Sequence, residues 1–241
     1  IIPSYIICDG EFIQKSLGKN NKNKSIVILN GIKTETFIRN KESRLKIRHE
    51  LKIPLDGYVI GHVARITPWK GQDLLLKAFL NYSTQNPNAY LLLIGAPLFD
   101  NNLYYNTIIK ILGSHSLMHR VIMPGYRNDL QAMYSTMDLF LYPSLEKDTS
   151  PLALLSAISS GLPVGVSNID CLTEIVDKCN DIDIFNPKKL DEMCALMKKY
   201  EKDEIRKKSG MLNREAGIKY FDISIHGQKF ERIIEQNRKG I

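Results

Sequence analysis

From residue 58 onward the chain alternates short, nearly all-apolar runs with longer amphipathic stretches, a rhythm that few folds accommodate. Residues 58–64, 89–95, 120–123, 138–142 and 163–166 read as strands, because they are short, apolar and rich in β-branched or leucine side chains. Between them, 71–82, 102–114, 128–137 and 151–160 carry apolar residues at helical spacing, as with Leu75, Phe79 and Tyr82. Strand and helix repeated in this order imply βαβ units and a parallel sheet. Strands apolar along their whole length, with little polar alternation, are strands covered on both faces. The expected class is therefore α/β, a parallel sheet with helices on both faces. Past residue 187 the chain turns helical and charged, with helices expected at 190–200, 205–218 and 224–237.

The 241 residues allow one large or two small domains. The longest near-apolar run, 89–99, is short of the ~20 residues a membrane span requires, so a soluble domain is expected. The chain opens on Ile1 with no basic-then-apolar signal pattern, which fits processing or, better, a piece of a longer polypeptide. Cys8, Cys171, Cys179 and Cys194 form no CxxC pair and have no histidine at zinc-site spacing. They read as free, reduced thiols of a cytoplasmic chain, with no metal site.

The positive charge is local. Residues 15–48 hold ten basic and two acidic side chains, +8 against +7 for the whole chain. Such a segment is either a solvated face or an attractor of phosphate or anionic lipid, with peripheral membrane contact as one consequence. No aromatic residues interleave with these lysines at a base-stacking rhythm, so no nucleic-acid partner is expected. The stretch 19–24, all lysine and asparagine, reads as a surface loop.

Ligands of open α/β sheets bind beyond the carboxyl ends of the strands. Neither GxGxxG nor GxxxxGK[ST] is present there. In their place, Ala64-Arg-Ile-Thr-Pro-Trp-Lys-Gly71 puts Arg65 and Lys70 on the loop after the first long strand, a planar fork and a point charge suited to a diphosphate. Further on, Ser150 reads as an N-cap and Pro151 as the first residue of a helix whose free amides and dipole favour an anion. Gly161 should end that helix. His62, in mid-strand, reads as a packed histidine and Trp69 as an aromatic at the base of its loop.

These segments together resemble the donor-binding half of the GT-B glycosyltransferases, in particular the large retaining group called family 4. The similarity runs through residues 60–79, Leu93-Ile-Gly-Ala-Pro97, Met123-Pro-Gly125, Leu141-Tyr-Pro-Ser144, Pro151-Leu-Ala-Leu-Leu155, Gly161-Leu-Pro-Val164 and Thr173-Glu-Ile-Val176. Upstream, Ile28-Leu-Asn-Gly-Ile32 followed by Phe37 resembles the asparagine–glycine hinge between the two halves. The resemblance implies a Rossmann-like domain at 37–222, a remnant of an acceptor domain and hinge at 1–36, and a crossover helix at 223–241. It implies a nucleotide diphospho-sugar as substrate, a hexosyltransferase working without metal or cofactor, and a carbohydrate or lipid-linked acceptor held by a missing N-terminal domain. The fragment alone would then bind donor without useful turnover.

Residue by residue, the resemblance gives Arg65 and Lys70 to the diphosphate, where they also offset charge on the departing nucleotide. Ala64, Gly95, Gly125, Tyr126 and Arg127 fall in the segments that line the nucleotide, Gly125 to Arg127 lying against the base. Ser150, Pro151 and Leu152 open the helix facing the phosphates. The family's paired glutamates, eight positions apart, fall on Asp148 at the sugar and Ser156 at the ribose; Ser156 keeps a hydrogen bond but loses the charge. Glu146 lies close enough in sequence to substitute for Asp148. Glu174 matches an acidic position near the nucleotide, or is simply a helix-start residue. Besides the transferase, a non-catalytic nucleotide-sugar or partner-binding module remains open, and so does a sugar-nucleotide epimerase with the same fold.

Overall fold

The computed structural model describes residues 5–97, 102–146 and 148–239, the last three without side chains. Its main sheet has six parallel strands: β3 (Tyr58–Val63), β4 (Ala89–Ile94), β5 (Val121–Gly125), β6 (Leu139–Tyr142), β7 (Val164–Ser167) and β8 (Ile182–Phe185). Before them, β1 (Ile6–Cys8) and β2 (Ser25–Val27) pair in parallel as a separate two-stranded sheet. The helices are α1 (Glu11–Ser16), α2 (Lys19–Lys22), α3 (Lys41–Glu50), α4 (Gln72–Ser83), α5 (Asn102–Gly113), α6 (Leu130–Thr136), α7 (Leu152–Ser159), α8 (Thr173–Val176), α9 (Leu190–Lys199), α10 (Asp203–Phe221) and α11 (Ile223–Lys239).

The strand order is β5-β4-β3-β6-β7-β8. The chain winds outward from β3 in one direction, then returns to β6 beside β3 and winds outward in the other. That reversal makes a crevice at the carboxyl ends of β3 and β6, where doubly wound sheets bind ligands.

Alternation along the strands explains their apolar composition. Val59 and Val63 face one core, with Phe140, Val164 and Val166 and with Met133, Leu154, Leu155 and Ile158 from α6 and α7. Tyr58 and Ile60 face the other, with Leu91, Leu93, Leu139 and Leu141 and with Leu75, Phe79 and Met197 from α4 and α9. The four inner strands, β4, β3, β6 and β7, bury both of their faces.

Four expectations change. The stretch read as a surface loop contains the short helix α2. Residues 182–185, given no strand in the sequence, form β8 at the sheet edge, with Ile184 more than half exposed. Residues 41–50, read only as part of the basic segment, form α3, capped by Asn40, whose Oδ1 accepts the Ser43 amide at 2.9 Å. The long helix expected at 205–218 extends over Asp203–Phe221.

The basic segment is also less of a face than its charge suggests. Arg48 is wholly buried and pairs with Asp138 at 2.8 Å, Arg44 pairs with the same carboxylate at 2.8 Å, and Lys15 pairs with Glu11 at 2.9 Å.

The segment after β2 is locked to the end of the chain. Ile32 bridges Asp222 in parallel, the Thr34 hydroxyl donates to the Asp222 carboxylate, and His226 Nδ1 lies 2.9 Å from the Leu29 carbonyl. Gly31 runs so close beneath α11 that a Cβ there would sit 2.9 Å from Ile223 and His226 atoms. Among the described residues, no helix is long and apolar enough to cross a membrane.

Candidate functional site

The loop after β3 reaches its shape through Gly71. This residue has φ +68°, and a Cβ on it would lie 2.2 Å from the Pro143 carbonyl oxygen. The backbone of 68–71 is thereby pressed against the segment that follows β6. The Trp69 carbonyl accepts the Leu145 amide at 2.7 Å and the Ser144 hydroxyl at 3.2 Å, stitching the two loops together. The Trp69 ring is 36% exposed with the Arg65 guanidinium 6.0 Å from its centroid, so it lines the outer rim instead of the loop base.

Inside the seam, four side chains meet. Lys70 Nζ is 2.5 Å from Asp148 Oδ2 and donates to the Tyr142 hydroxyl at 2.7 Å. The Tyr142 hydroxyl donates to the same Asp148 oxygen at 2.5 Å, and the Ser144 hydroxyl donates to it at 2.8 Å. Lys70 and Asp148 are both buried. Burial, then the neighbouring Asp148 carboxylate, hold the Tyr142 phenol well above its ordinary pKa, so it stays a donor. The Asp148 amide in turn donates to Cys171 Sγ at 3.3 Å. Burial also raises the Cys171 thiol, which keeps it protonated.

His62 lies under this cluster. It is 1% exposed, its Nδ1 is 2.9 Å from the Leu141 carbonyl, and its ring stacks on Phe140. Nε2 is buried without a hydrogen-bond partner among the described residues. Desolvation, reinforced by the Lys70 charge, lowers its pKa to about 4.

The remaining expected residues lie on the neighbouring loops after β3, β4 and β5 and on the later helices. Arg65 sits on the same loop, exposed, and its carbonyl is held by Gln72 Nε2 at 2.7 Å. Gly95 has φ +139° and passes so close to Ala64 that a Cβ would lie 1.9 Å from the Ala64 carbonyl oxygen. Its amide donates to the Gly125 carbonyl at 2.9 Å, so the ends of β3, β4 and β5 are tied in one line. Tyr126 beyond it is 74% exposed. Arg127 is engaged sideways, with Glu50 at 2.6 Å and Asp129 at 2.7 Å, so its guanidinium is already paired.

The start of α7 differs from expectation. Pro151 is the N-cap and Leu152 the first helical residue. Ser150, expected as the cap, has φ +42°, and its hydroxyl instead accepts the Asn30 amide at 2.8 Å. The Pro151 carbonyl takes the first intrahelical bonds from Leu154 and Leu155, so the amides of Leu152 and Ala153 precede the helical ladder. At the far end Gly161 bonds to Ile158 and Leu162 to Ala157, a Schellman closure.

Ser156 is buried, at the floor of a groove of about 470 Å³ lined by Leu130, Tyr134, Leu152, Ala153 and residues 31–33 and 36–37. A larger cavity of about 690 Å³ lies between α1 and residues 170–178, with Glu174 in its wall. The Glu174 carboxylate accepts the Glu11 amide at 3.0 Å and so tethers α1. Among the described residues, no group of three or more His, Cys, Asp or Glu side chains is gathered as a metal ion would require.

Lys70 was singled out by its position after a strand, and Asp148 by the family resemblance. Tyr142 and Ser144 stood in the motif without an assigned role, and Asn30 and Thr149 carried no signal beyond the segments containing them.

The family model described as glycosyl transferases group 1 matches residues 43–217. The chain belongs to this family. It is 29% identical over 177 residues to the O-antigen biosynthesis glycosyltransferase WclY of Escherichia coli, covering 73% of this chain and 47% of that protein. With the UDP-Gal:alpha-D-GlcNAc-diphosphoundecaprenol alpha-1,3-galactosyltransferase of the same organism it shares 32% identity over 176 residues, 67% of this chain and 43% of the other. The chain thus spans about half the length of the curated relatives it matches. A crystal structure of Anabaena HepE in complex with UDP and glucose superimposes with a TM-score of 0.86, covering 96% of this chain and 63% of that one at 21% identity. The group 1 domain therefore has the GT-B Rossmann-like fold.

Proposed function

We propose that this chain is the donor-binding half of a retaining family 4 glycosyltransferase, which binds a nucleotide diphospho-sugar and passes the sugar to a carbohydrate or lipid-linked acceptor held by a further N-terminal domain. The observation that carries it is the Lys70–Asp148–Tyr142–Ser144 cluster at the crevice between β3 and β6, beside the start of α7. The names of the relatives agree with a sugar-transfer role in polysaccharide synthesis.

In this reading the diphosphate lies between the Arg65–Lys70 loop and the amides of Leu152 and Ala153. Lys70 exchanges part of its bond to Asp148 for a phosphate oxygen, and Arg65, at the rim, closes from outside. The Asp148 carboxylate, still accepting from Tyr142 and Ser144, orients a sugar hydroxyl. Ser156 and the groove beside it take the ribose, and the exposed loop Gly125–Arg127 takes the base. As charge builds on the departing nucleotide diphosphate, Lys70, Arg65 and the helix start offset it. The sugar nucleotide is substrate, and no cofactor or metal is assigned. The location is cytoplasmic, with peripheral membrane contact if the acceptor is lipid-linked.

A second reading, a nucleotide-sugar-binding module without transfer, is favoured by two observations. Asp148 already occupies the Lys70 ammonium, and Ser156 supplies no carboxylate at the ribose position. Calorimetric titration with UDP, GDP and ADP sugars tests donor binding by the chain. Transfer by the longer protein, compared with its Arg65→Ala and Lys70→Ala forms, separates the two readings. The enzyme should lose at least about tenfold in kcat/KM with either change, as loss of a charged hydrogen bond implies. Full activity in both variants would remove the diphosphate assignment.

A further inference from the structure

Three consecutive residues, Asp148, Thr149 and Ser150, are held from opposite sides. Asp148 is bonded inward to Lys70, Tyr142 and Ser144. The Thr149 hydroxyl donates outward to Asp9 Oδ2 at 2.9 Å, just past β1. Ser150 is gripped twice by Asn30, which lies in the hinge after β2. The Asn30 amide donates to the Ser150 hydroxyl at 2.8 Å, and Asn30 Nδ2 donates to the Ser150 carbonyl at 2.9 Å. The two residues are 120 positions apart and both bonds are partly buried.

Ser150 needs such a grip. With φ +42° it is one of two non-glycine residues in the left-handed region among those described, a conformation that L side chains avoid. It is 1% exposed, so water is not available to replace the lost partners. The backbone direction at Ser150 decides how the chain passes from Asp148 into Pro151 and the first amides of α7. A change of Ser150 toward an ordinary conformation would swing the Asp148 carboxylate away from Lys70, or turn the helix start, or both.

We propose that Asn30 is a positioning residue for the donor site: by holding Ser150 in the left-handed conformation, it fixes Asp148 and the beginning of α7 relative to Lys70. This rests on the reading of Lys70 and the α7 start as the diphosphate site. It also gives the hinge asparagine a task beyond joining two halves, since the hinge and the donor loop become one unit. Asp9 and Thr149 brace the same loop from the neighbouring strand end.

The test compares the chain with Asn30→Ala and with Asn30→Ala/Ser150→Gly. UDP, GDP and ADP are titrated calorimetrically and each form is melted. Asn30→Ala should weaken the tightest-binding diphosphate about tenfold. Adding Ser150→Gly should bring affinity back to within about threefold, because glycine occupies the left-handed region without support. Recovery is the decisive readout, since a residue that served only global packing would not be rescued by a glycine in another loop. Should Asn30→Ala fail to fold, Asn30→Asp keeps the size and the main-chain donor but removes the Nδ2 donor, and the same weakening is expected. Unchanged affinity in these variants, or a loss that Ser150→Gly leaves untouched, overturns the positioning role. If the parent chain binds none of the three diphosphates, the donor-site reading itself falls and the role of Asn30 falls with it.

Discussion

Strand β6 carries a buried cation–carboxylate pair at each end, and the two are built differently. At its amino end, Arg48 and Asp138 meet at 2.8 Å, and at its carboxyl end Lys70 and Asp148 meet at 2.5 Å. The terminal nitrogens of Arg48 are saturated, donating also to the carbonyls of Pro54, Leu55, Gly57 and Thr136, while its Nε is buried without a partner among the described residues. Asp138 is equally occupied, accepting from Arg44 and from the Val59 amide. Lys70 has two partners among the described residues, the Tyr142 hydroxyl and Asp148, for an ammonium with three protons. One pair has both terminal nitrogens and both carboxylate oxygens engaged and belongs to the architecture; the other, at the carboxyl end of the strand, has an ammonium proton left over. In a sheet of this topology that contrast follows the strand direction, since ligands bind only at the carboxyl ends.

The sharpest way to break the comparison is to remove the saturated cation. Arg48→Met should cost about 3–5 kcal/mol of stability in urea unfolding, because Asp138 is left buried with one cation fewer. Diphosphate affinity per folded molecule should not move. Lys70→Ala should do the reverse, losing affinity first, since Asp148 still accepts from Tyr142 and Ser144. If Arg48→Met weakened nucleotide binding more than Lys70→Ala did, the division of labour would be wrong.

A smaller effect sharpens the carboxyl end. His62 is held neutral in the folded state, with its pKa near 4 against 6.5 in the open chain. The unfolded chain therefore binds the extra proton between these values. Stability contributed by this site is complete above pH 6.5 and drains as pH falls toward 4, by roughly 3 kcal/mol in all. Chemical denaturation across that range should show the slope, and His62→Gln should flatten it. The smallest change expected is at Arg127, whose pairs with Glu50 and Asp129 face solvent. Arg127→Ala should shift stability by less than about 1 kcal/mol, as double-mutant cycles with Glu50 would measure.

What the sequence revealed divides along the same lines. The strands from β3 to β7 were legible because burial on both faces leaves an unbroken apolar run. β8 escaped because it is an edge strand, where Asp183 and the exposed Ile184 blur that run. α3 escaped because Leu45 and Ile47 are its only apolar residues, and nothing local reveals that Arg48 will be buried against a carboxylate 90 positions away. At the site, Lys70 was found by its position after a strand, and Asp148 only through the family resemblance. The cap assigned to Ser150 was a sound local inference, overridden when Asn30 claimed the same hydroxyl. The pairings of Arg127 with Glu50, Tyr142 with Lys70 and Asn30 with Ser150 were hidden for the same reason, as hydrogen bonds distant in the chain leave no periodicity to read.

The bridge between Ile32 and Asp222 has a bearing on how the molecule comes to exist at all. Synthesis proceeds from the amino end, so the segment around Ile32 emerges 190 residues ahead of the one it must meet. Until then Gly31 has no helix above it, and the Leu29 carbonyl has no His226 beside it. The sheet can assemble outward from β3 as it is made, but the segment around Ile32 can only be clasped once the residues near Asp222 have been made.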